Sequence, residues 1–186
     1  MNGLQIKQAM KRNTEARTVF KGLHPSEQIP DGGAEGMNGL QIGWAMKRNA
    51  EARAIFKGVH PSNQIPNFSK KPFAVIYNTE GAGRPGAHWV SFYVTRGNVV
   101  EFFDTYGRSP LNLMFPVDFK NYIKDRVCRY NTKIVEGFFD NTCGEFCIYM
   151  LCLRTKGMTF YDIVNFLSYD TAVNHSTVLN FIKNEP

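Results

Sequence analysis

Cys143 stands where turn chemistry gives way to helix. Gly137–Thr142 holds a glycine, an Asp-Asn pair and few helix formers. From Gly144 the pattern is helical, with Phe146, Cys147, Met150 and Leu151 on one wide apolar face. Nearly everything from Phe146 to Leu153 is apolar, so the helix is expected to be buried on most sides. A cysteine at the start of such a helix lies near unpaired backbone N–H groups and the positive end of the helix dipole. A thiolate, or the oxyanion of an attacked carbonyl, is favoured there. Taken alone, Cys143 reads more readily as a small buried core residue, as most free cysteines are.

Two further residues give it partners. His88-Trp-Val-Ser-Phe-Tyr-Val-Thr95 alternates as a half-buried strand, Thr95-Arg-Gly-Asn98 turns the chain, and Val99–Phe103 returns it into Asp104-Thr-Tyr-Gly107. A hairpin of this kind sets the start of one strand beside the end of the next. His88 and Asp104 then fall within reach of an imidazole–carboxylate hydrogen bond. Asp104 would orient His88, and His88 would deprotonate Cys143 or hold it as an ion pair. The spacing fits any hydrolase or transferase that uses a cysteine nucleophile.

The elements that must position these groups begin with an internal repeat. Residues 1–30 recur at 37–66, offset by 36, and Asp31-Gly-Gly-Ala-Glu-Gly36 reads as a flexible joint. Each copy reads as one helix; in the second, Ile42, Ala45, Met46, Ala50, Ala54 and Ile55 form the apolar stripe. Lys-Gly and His-Pro follow as a stop, with His24 and His60 as turn residues. Residues 1–36 are expected to be a surplus arm and 37–186 the functional domain. Phe73–Tyr77 suits a buried strand and residues 79–86 a glycine-rich loop. Val117–Arg126 has roughly helical spacing, Cys128 follows in a loop, and Lys133–Val135 suits a short strand. Thr159 caps a helix over 160–167. Asn174 or Ser176 caps a last helix over 178–182, and His175 takes no catalytic role.

The chain of 186 residues carries a net charge of +6. The excess is uneven. Residues 1–66 hold nine Lys+Arg against five Asp+Glu, and the remainder thirteen against eleven. Such a surface tolerates polyanions, so modest nucleic-acid binding is compatible with it. No apolar run reaches the ~20 residues of a membrane span, and no signal-peptide core opens the sequence. Four cysteines without regular spacing suggest neither a disulfide framework nor a zinc site, so a reducing compartment and no metal are expected.

His88-Trp89, then Asp104-x-x-Gly107 ending the next strand, then Cys143-Gly144-x-x-Cys147 on a helix resembles the adenovirus maturation protease (adenain-like) family. Its relatives occur in Maverick/Polinton elements and virophages, and the Ulp1-type SUMO proteases are more distant. The resemblance runs from about Ala54 to Cys152 and takes in Phe56-Lys-Gly58, Ile65-Pro-Asn-Phe68 and Asn141-Thr-Cys143-Gly144. It implies an α+β fold with a central mixed sheet, a buried nucleophile-bearing helix and helices around it. It implies His88 as general base, Asp104 as its orienting carboxylate and Cys143 as nucleophile. The family's oxyanion-hole glutamine falls on Glu136. That is a departure, because an ionised glutamate repels the charge that a glutamine N–H stabilises. Cys128 lies in the loop where the family's cofactor cysteine pairs with a short basic activating peptide, with Val127 inserted.

The resemblance implies a monomeric viral or mobile-element cysteine endopeptidase that cleaves capsid or core precursors. Viral DNA is an implied activator, and the virion, the host nucleus or a cytoplasmic assembly site the implied location. Family cleavage motifs fit Met1-Asn-Gly3 and Met37-Asn-Gly39 loosely, which suggests self-processing after Leu4 or Leu40. Two alternatives stay open. One is an isopeptidase acting on ubiquitin-like tails; the other is a relative impaired at Glu136 that binds nucleic acid or capsid.

Overall fold

Every residue of Phe73–Asn78 is buried, because this strand has neighbours on both sides and helices on both faces. The computed structural model describes residues 36–82 and 88–184. Within it a five-stranded sheet runs in the order β1 (Phe56–Pro61), β2 (Phe73–Asn78), β3 (Trp89–Val94), β4 (Val100–Phe103) and β5 (Cys128–Tyr130). The two outer pairs are parallel and the two inner pairs antiparallel, so the sheet is mixed. Six helices accompany it: α1 (Gly39–Arg48), α2 (Ala50–Ile55), α3 (Val117–Ile123), α4 (Cys143–Thr155), α5 (Phe160–Phe166) and α6 (Thr171–Asn184).

The period-two alternation of the strands splits the interior into two cores. Phe73, Val75 and Tyr77 of β2 join Val90, Phe92 and Val94 of β3 beneath α3, where Phe119 and Ile123 meet them. On the opposite face lie Ala74, Ile76 and Phe103 with α4, which is buried from Gly144 to Leu153. The small side chains of Ala74 and Ser91 let a helix come close to the sheet there. Both faces of the hairpin are therefore covered, and β3 is almost wholly buried where alternation alone suggested a half-exposed strand. At its far end α4 is tied to β4 by Arg154, whose Nε and Nη2 donate to Glu101 at 2.7 and 3.2 Å.

Several local expectations change. The helix expected over the second repeat breaks at Asn49, whose side chain accepts from Ala52 N–H and restarts the chain as α2. Ala52 is buried, while Ala54 is exposed. The stop at Lys57-Gly58 and His60-Pro61 is a strand, β1; Gly58 takes φ +109° where the register with β2 shifts. His60 thus belongs to an edge strand and not a turn, its Nε2 meeting Lys57 O at 3.0 Å. Cys128 begins β5 instead of lying in a loop. Residues 133–135 form no strand; Val135 N–H instead donates to Thr105 O at 2.8 Å. The last helix starts earlier than expected, at Thr171, because Asp170 accepts from Ala172 and Val173. Asn174 is buried there and donates to Val135 O and Ser168 O. Thr159 caps α5, accepting from Asp162 N–H at 3.1 Å.

The arm assigned to residues 1–36 lies outside the described residues except for Gly36, and so do His24 and Leu4. Leu40 is exposed but sits in the first turn of α1, a backbone that must unwind before a protease cleft can hold it extended. Among the described residues no helix is long and apolar enough to cross a membrane, and no cluster of three metal-ligating side chains occurs.

Candidate active site

His88 lies one residue ahead of β3, and Asp104 one residue past β4. The antiparallel register that pairs Ser91 with Phe103 brings them together. His88 Nε2 is 2.6 Å from Asp104 Oδ1. Asp104 is fully buried, and the protein satisfies it from every side. Arg108 donates from Nε to Oδ2 at 2.8 Å, from Nη2 to Oδ1 at 3.1 Å and from its backbone N–H to Oδ2 at 2.9 Å. Asn131 takes the Asp104 backbone, accepting its N–H at 3.0 Å and donating to its carbonyl at 2.6 Å. Burial alone would raise this carboxyl. The hydrogen bonds and charges of His88 and Arg108 outweigh it and hold Asp104 at about 2. It is a fixed anion at neutral pH.

Gly107 makes the turn behind this carboxylate. Its N–H donates to Asp104 O at 2.9 Å and its φ is +66°, and a Cβ there would stand 2.7 Å from Thr132. Tyr106, between them in sequence, stacks on the His88 ring at 5.2 Å and on Phe138 at 5.7 Å. Phe138 and its neighbour Phe139 are largely exposed.

Cys143 is the first residue of α4. The N–H of Trp89, next in chain to His88, donates to Cys143 Sγ at 3.4 Å. Trp89 is itself held by its indole N–H, which donates to Met37 O at 3.0 Å. Gly144 packs so closely that a Cβ on it would lie 2.9 Å from Ile42 Cδ1. Burial pushes the Cys143 thiol up to about 12, and the negative charge of Glu136 adds to the rise; the N–H groups of Trp89 and Gly144 act the other way. The resting sulfur is therefore a thiol.

Glu136 is buried beside it. Its Oε1 accepts from Thr142 N–H at 2.6 Å and Thr142 Oγ1 at 3.1 Å. The Thr105 hydroxyl lies near enough to ease the Glu136 charge, while Oε2 meets no hydrogen-bond partner among the described residues. Burial raises the Glu136 carboxyl, and those contacts offset it in part. Thr142, the residue capping α4, gives its hydroxyl to Glu136 and not to the helix. His175 Nδ1 lies 3.5 Å from the same hydroxyl, on the outer side.

Cys128 stands apart from this cluster, on β5 at the sheet edge. Burial pushes its thiol up to about 11, and its Sγ faces Arg129 O at 3.8 Å. Of the groups around the cluster, Arg108, Asn131, Tyr106 and Thr142 escaped the reading of the sequence. Arg108 carries a local signal, being four residues past Asp104 across a glycine turn. Asn131 carries none, since its partner is 27 residues away.

No protein-family model matches the chain, and no curated protein does. Among solved structures the ASFV pS273R protease matches over 92% of this chain and 78% of its own, with a TM-score of 0.58 at 15% identity. The chain shares the fold of that structure. The shared architecture is the mixed α+β arrangement described above, with the five-stranded sheet against the helices. At this identity the likeness extends to the fold and not to individual side chains.

Proposed function

We propose that this protein is a cysteine endopeptidase of a virus or virus-like mobile element, with Cys143, His88 and Asp104 as its triad. The observation that carries the reading is the convergence at the start of α4. The Cys143 sulfur touches the backbone adjoining His88, and the His88 ring is anchored on a buried, doubly held carboxylate. Asp104 occupies Nε2, so that nitrogen bears the proton and Nδ1 is left as the base. The thiol rests protonated, so Nδ1 accepts its proton as Sγ attacks the scissile carbonyl carbon. Backbone N–H groups at the α4 terminus hold the oxyanion. His88 then protonates the leaving amine, and water hydrolyses the thioester with His88 again as base.

Through the sequence resemblance, the substrates proposed are capsid or core precursors cut at Met-x-Gly-like sites during assembly. Viral DNA is proposed as an activator through the same resemblance, and the +6 charge is compatible with it. A disulfide-linked peptide at Cys128 is the weaker part of the proposal, because a thiol raised to about 11 exchanges slowly. A second reading, an impaired relative that binds nucleic acid or capsid, is favoured by one observation. Glu136 presents a buried carboxyl where an amide donor would serve the oxyanion.

The test is peptide hydrolysis and active-site capture. The full chain should cleave a Met-x-Gly-x peptide library and form a thioether with an electrophilic peptide at Cys143, and Cys143→Ala should do neither. Capture only by a ubiquitin-like tail ending in Gly-Gly would make it an isopeptidase. No capture, with DNA present or absent, would leave the impaired relative.

A further inference from the structure

The segment 37–66 is not an appendage. Helices α1 and α2 pack against α4, β1 forms one parallel edge of the sheet, and Met37, Ile42, Ala45, Met46 and Ala52 belong to the main core. It also shapes the candidate site, since Met37 O takes the Trp89 indole and Ile42 packs on Gly144. Yet the chain carries this segment twice. We propose that residues 1–30 are a second, interchangeable occupant of the seat that residues 37–66 fill, exchanging with them within one chain.

The two copies differ at seven of thirty positions, and none of those positions is buried in the seat: 43, 44, 50, 54, 55, 59 and 63 are exposed or half-buried. Every buried position is identical. Met1, Ile6, Ala9, Met10, Asn13 and Ala16 repeat Met37, Ile42, Ala45, Met46, Asn49 and Ala52, and Ser26 repeats Ser62. The backbone requirements recur as well. Gly22 matches Gly58, whose φ is +109°, and Gly3 matches Gly39, where a Cβ would press on Trp89 at 3.3 Å. Asn2 and Gln5 repeat Asn38 and Gln41, whose side chains form a capping box. The largest change, Lys7 against Gly43, falls where a Cβ meets only Val59 at 3.8 Å, an ordinary contact. A core that accepts one copy therefore accepts the other without repacking.

The connectivity permits it. With the first copy seated, Pro30 takes the place of Pro66 beside Asn67, and residues 31–66 leave and re-enter at neighbouring points. Closing that 36-residue loop disfavours this state on the order of 100-fold. The second copy thus holds the seat in nearly all molecules, and the first takes it when the second is damaged or cleaved. Either copy supplies the same carbonyl to Trp89 and the same side chains to Gly144.

The experiment uses the full chain, its thermal unfolding followed by circular dichroism and its mass by light scattering. Ile42→Asp should keep one cooperative melt, Ile6→Asp should melt as the unaltered protein, and the double variant should lose the melt. Loss of the melt in Ile42→Asp alone, or its survival in the double variant, would overturn the proposal. Milder substitutions give a second route: Ile42→Ala should lower the midpoint further when Ile6→Ala is also present, whereas additive shifts would overturn it. Ile42→Asp should remain a monomer at all concentrations, and a dimer would overturn exchange within one chain.

Discussion

Arg108 grips both carboxylate oxygens of Asp104, with Nε 2.8 Å from Oδ2 and Nη2 3.1 Å from Oδ1. The same Oδ1 also meets His88 Nε2 at 2.6 Å. One buried anion thus joins the imidazole to a guanidinium that is itself packed over Tyr106 and Phe115. Removing the guanidinium leaves the buried Asp104 carboxylate with only His88 and the backbone N–H of residue 108. Arg108→Ala is expected to cost about 3 kcal/mol, read as a lower urea midpoint, and Asp104→Asn should abolish most of that difference in a double-mutant cycle. Additive losses would mean that the two side chains act independently.

Asp104 also sets an acid limit. Its folded value of about 2 lies below its ordinary 3.8, so it contributes stability in full above 3.8. The contribution, about 2 kcal/mol, is lost as pH falls from there through about 2. Unfolding midpoints measured between pH 5 and 2 should show this loss in the unaltered protein and a flatter profile in Asp104→Asn.

Glu136 acts in the other direction. Its folded carboxyl is raised, so its protonated form stabilises the protein at low pH and that stability is lost as pH rises through the raised value. The same ionisation makes the Cys143 thiol harder to ionise. Glu136→Gln keeps an oxygen for Thr142, removes the charge and supplies an N–H donor. It is expected to flatten the pH-stability profile in the carboxylate range, to lower the Cys143 thiol and to raise peptide turnover about 10-fold or more. An unchanged alkylation profile would show that the Glu136 charge does not reach the sulfur.

The thiol itself makes a sharp expectation. With Cys143 pushed up to about 12, alkylation by iodoacetamide should be slow at pH 7 and still climbing at pH 10. Mapping the modified residue by mass spectrometry separates it from Cys128, raised to about 11. A fast pH-independent reaction below neutrality would instead mean a preformed thiolate–imidazolium pair.

Asn131 tests how the carboxylate is held in place. It is nearly fully buried and satisfies both backbone groups of Asp104, besides donating to Lys133 O at 3.0 Å. Asn131→Ala strands these groups and should cost about 2–3 kcal/mol. Gly107→Ala, forced to φ +66° against Thr132, should cost at least as much. Denaturant midpoints check both.

Local chemistry was legible in the sequence wherever a few adjacent residues carried it. The alternation of residues 88–95 and the turn at Arg96-Gly97 imply a hairpin, and a hairpin brings His88 to Asp104. The unbroken apolar run after Gly144 implies a buried helix with Cys143 at its start, and Thr159 marks the start of another. What sequence alone could not supply depends on partners far along the chain. Lys57-Gly58 and His60-Pro61 look like a stop, yet they form a strand, because β2 offers a parallel edge that no neighbouring residue announces. Cys128 enters the sheet because β4 pairs with it. Asn131, Arg154 and Asn174 look like surface polar residues until the fold buries the groups they satisfy. The protonation of the site is tertiary too. Asp104 is an anion because the fold brings it two donors, and Cys143 is a thiol because the fold buries it beside Glu136. Spacing along a chain fixes which residues share a turn or a strand pair; only packing sets the desolvation and the charges that each of them faces.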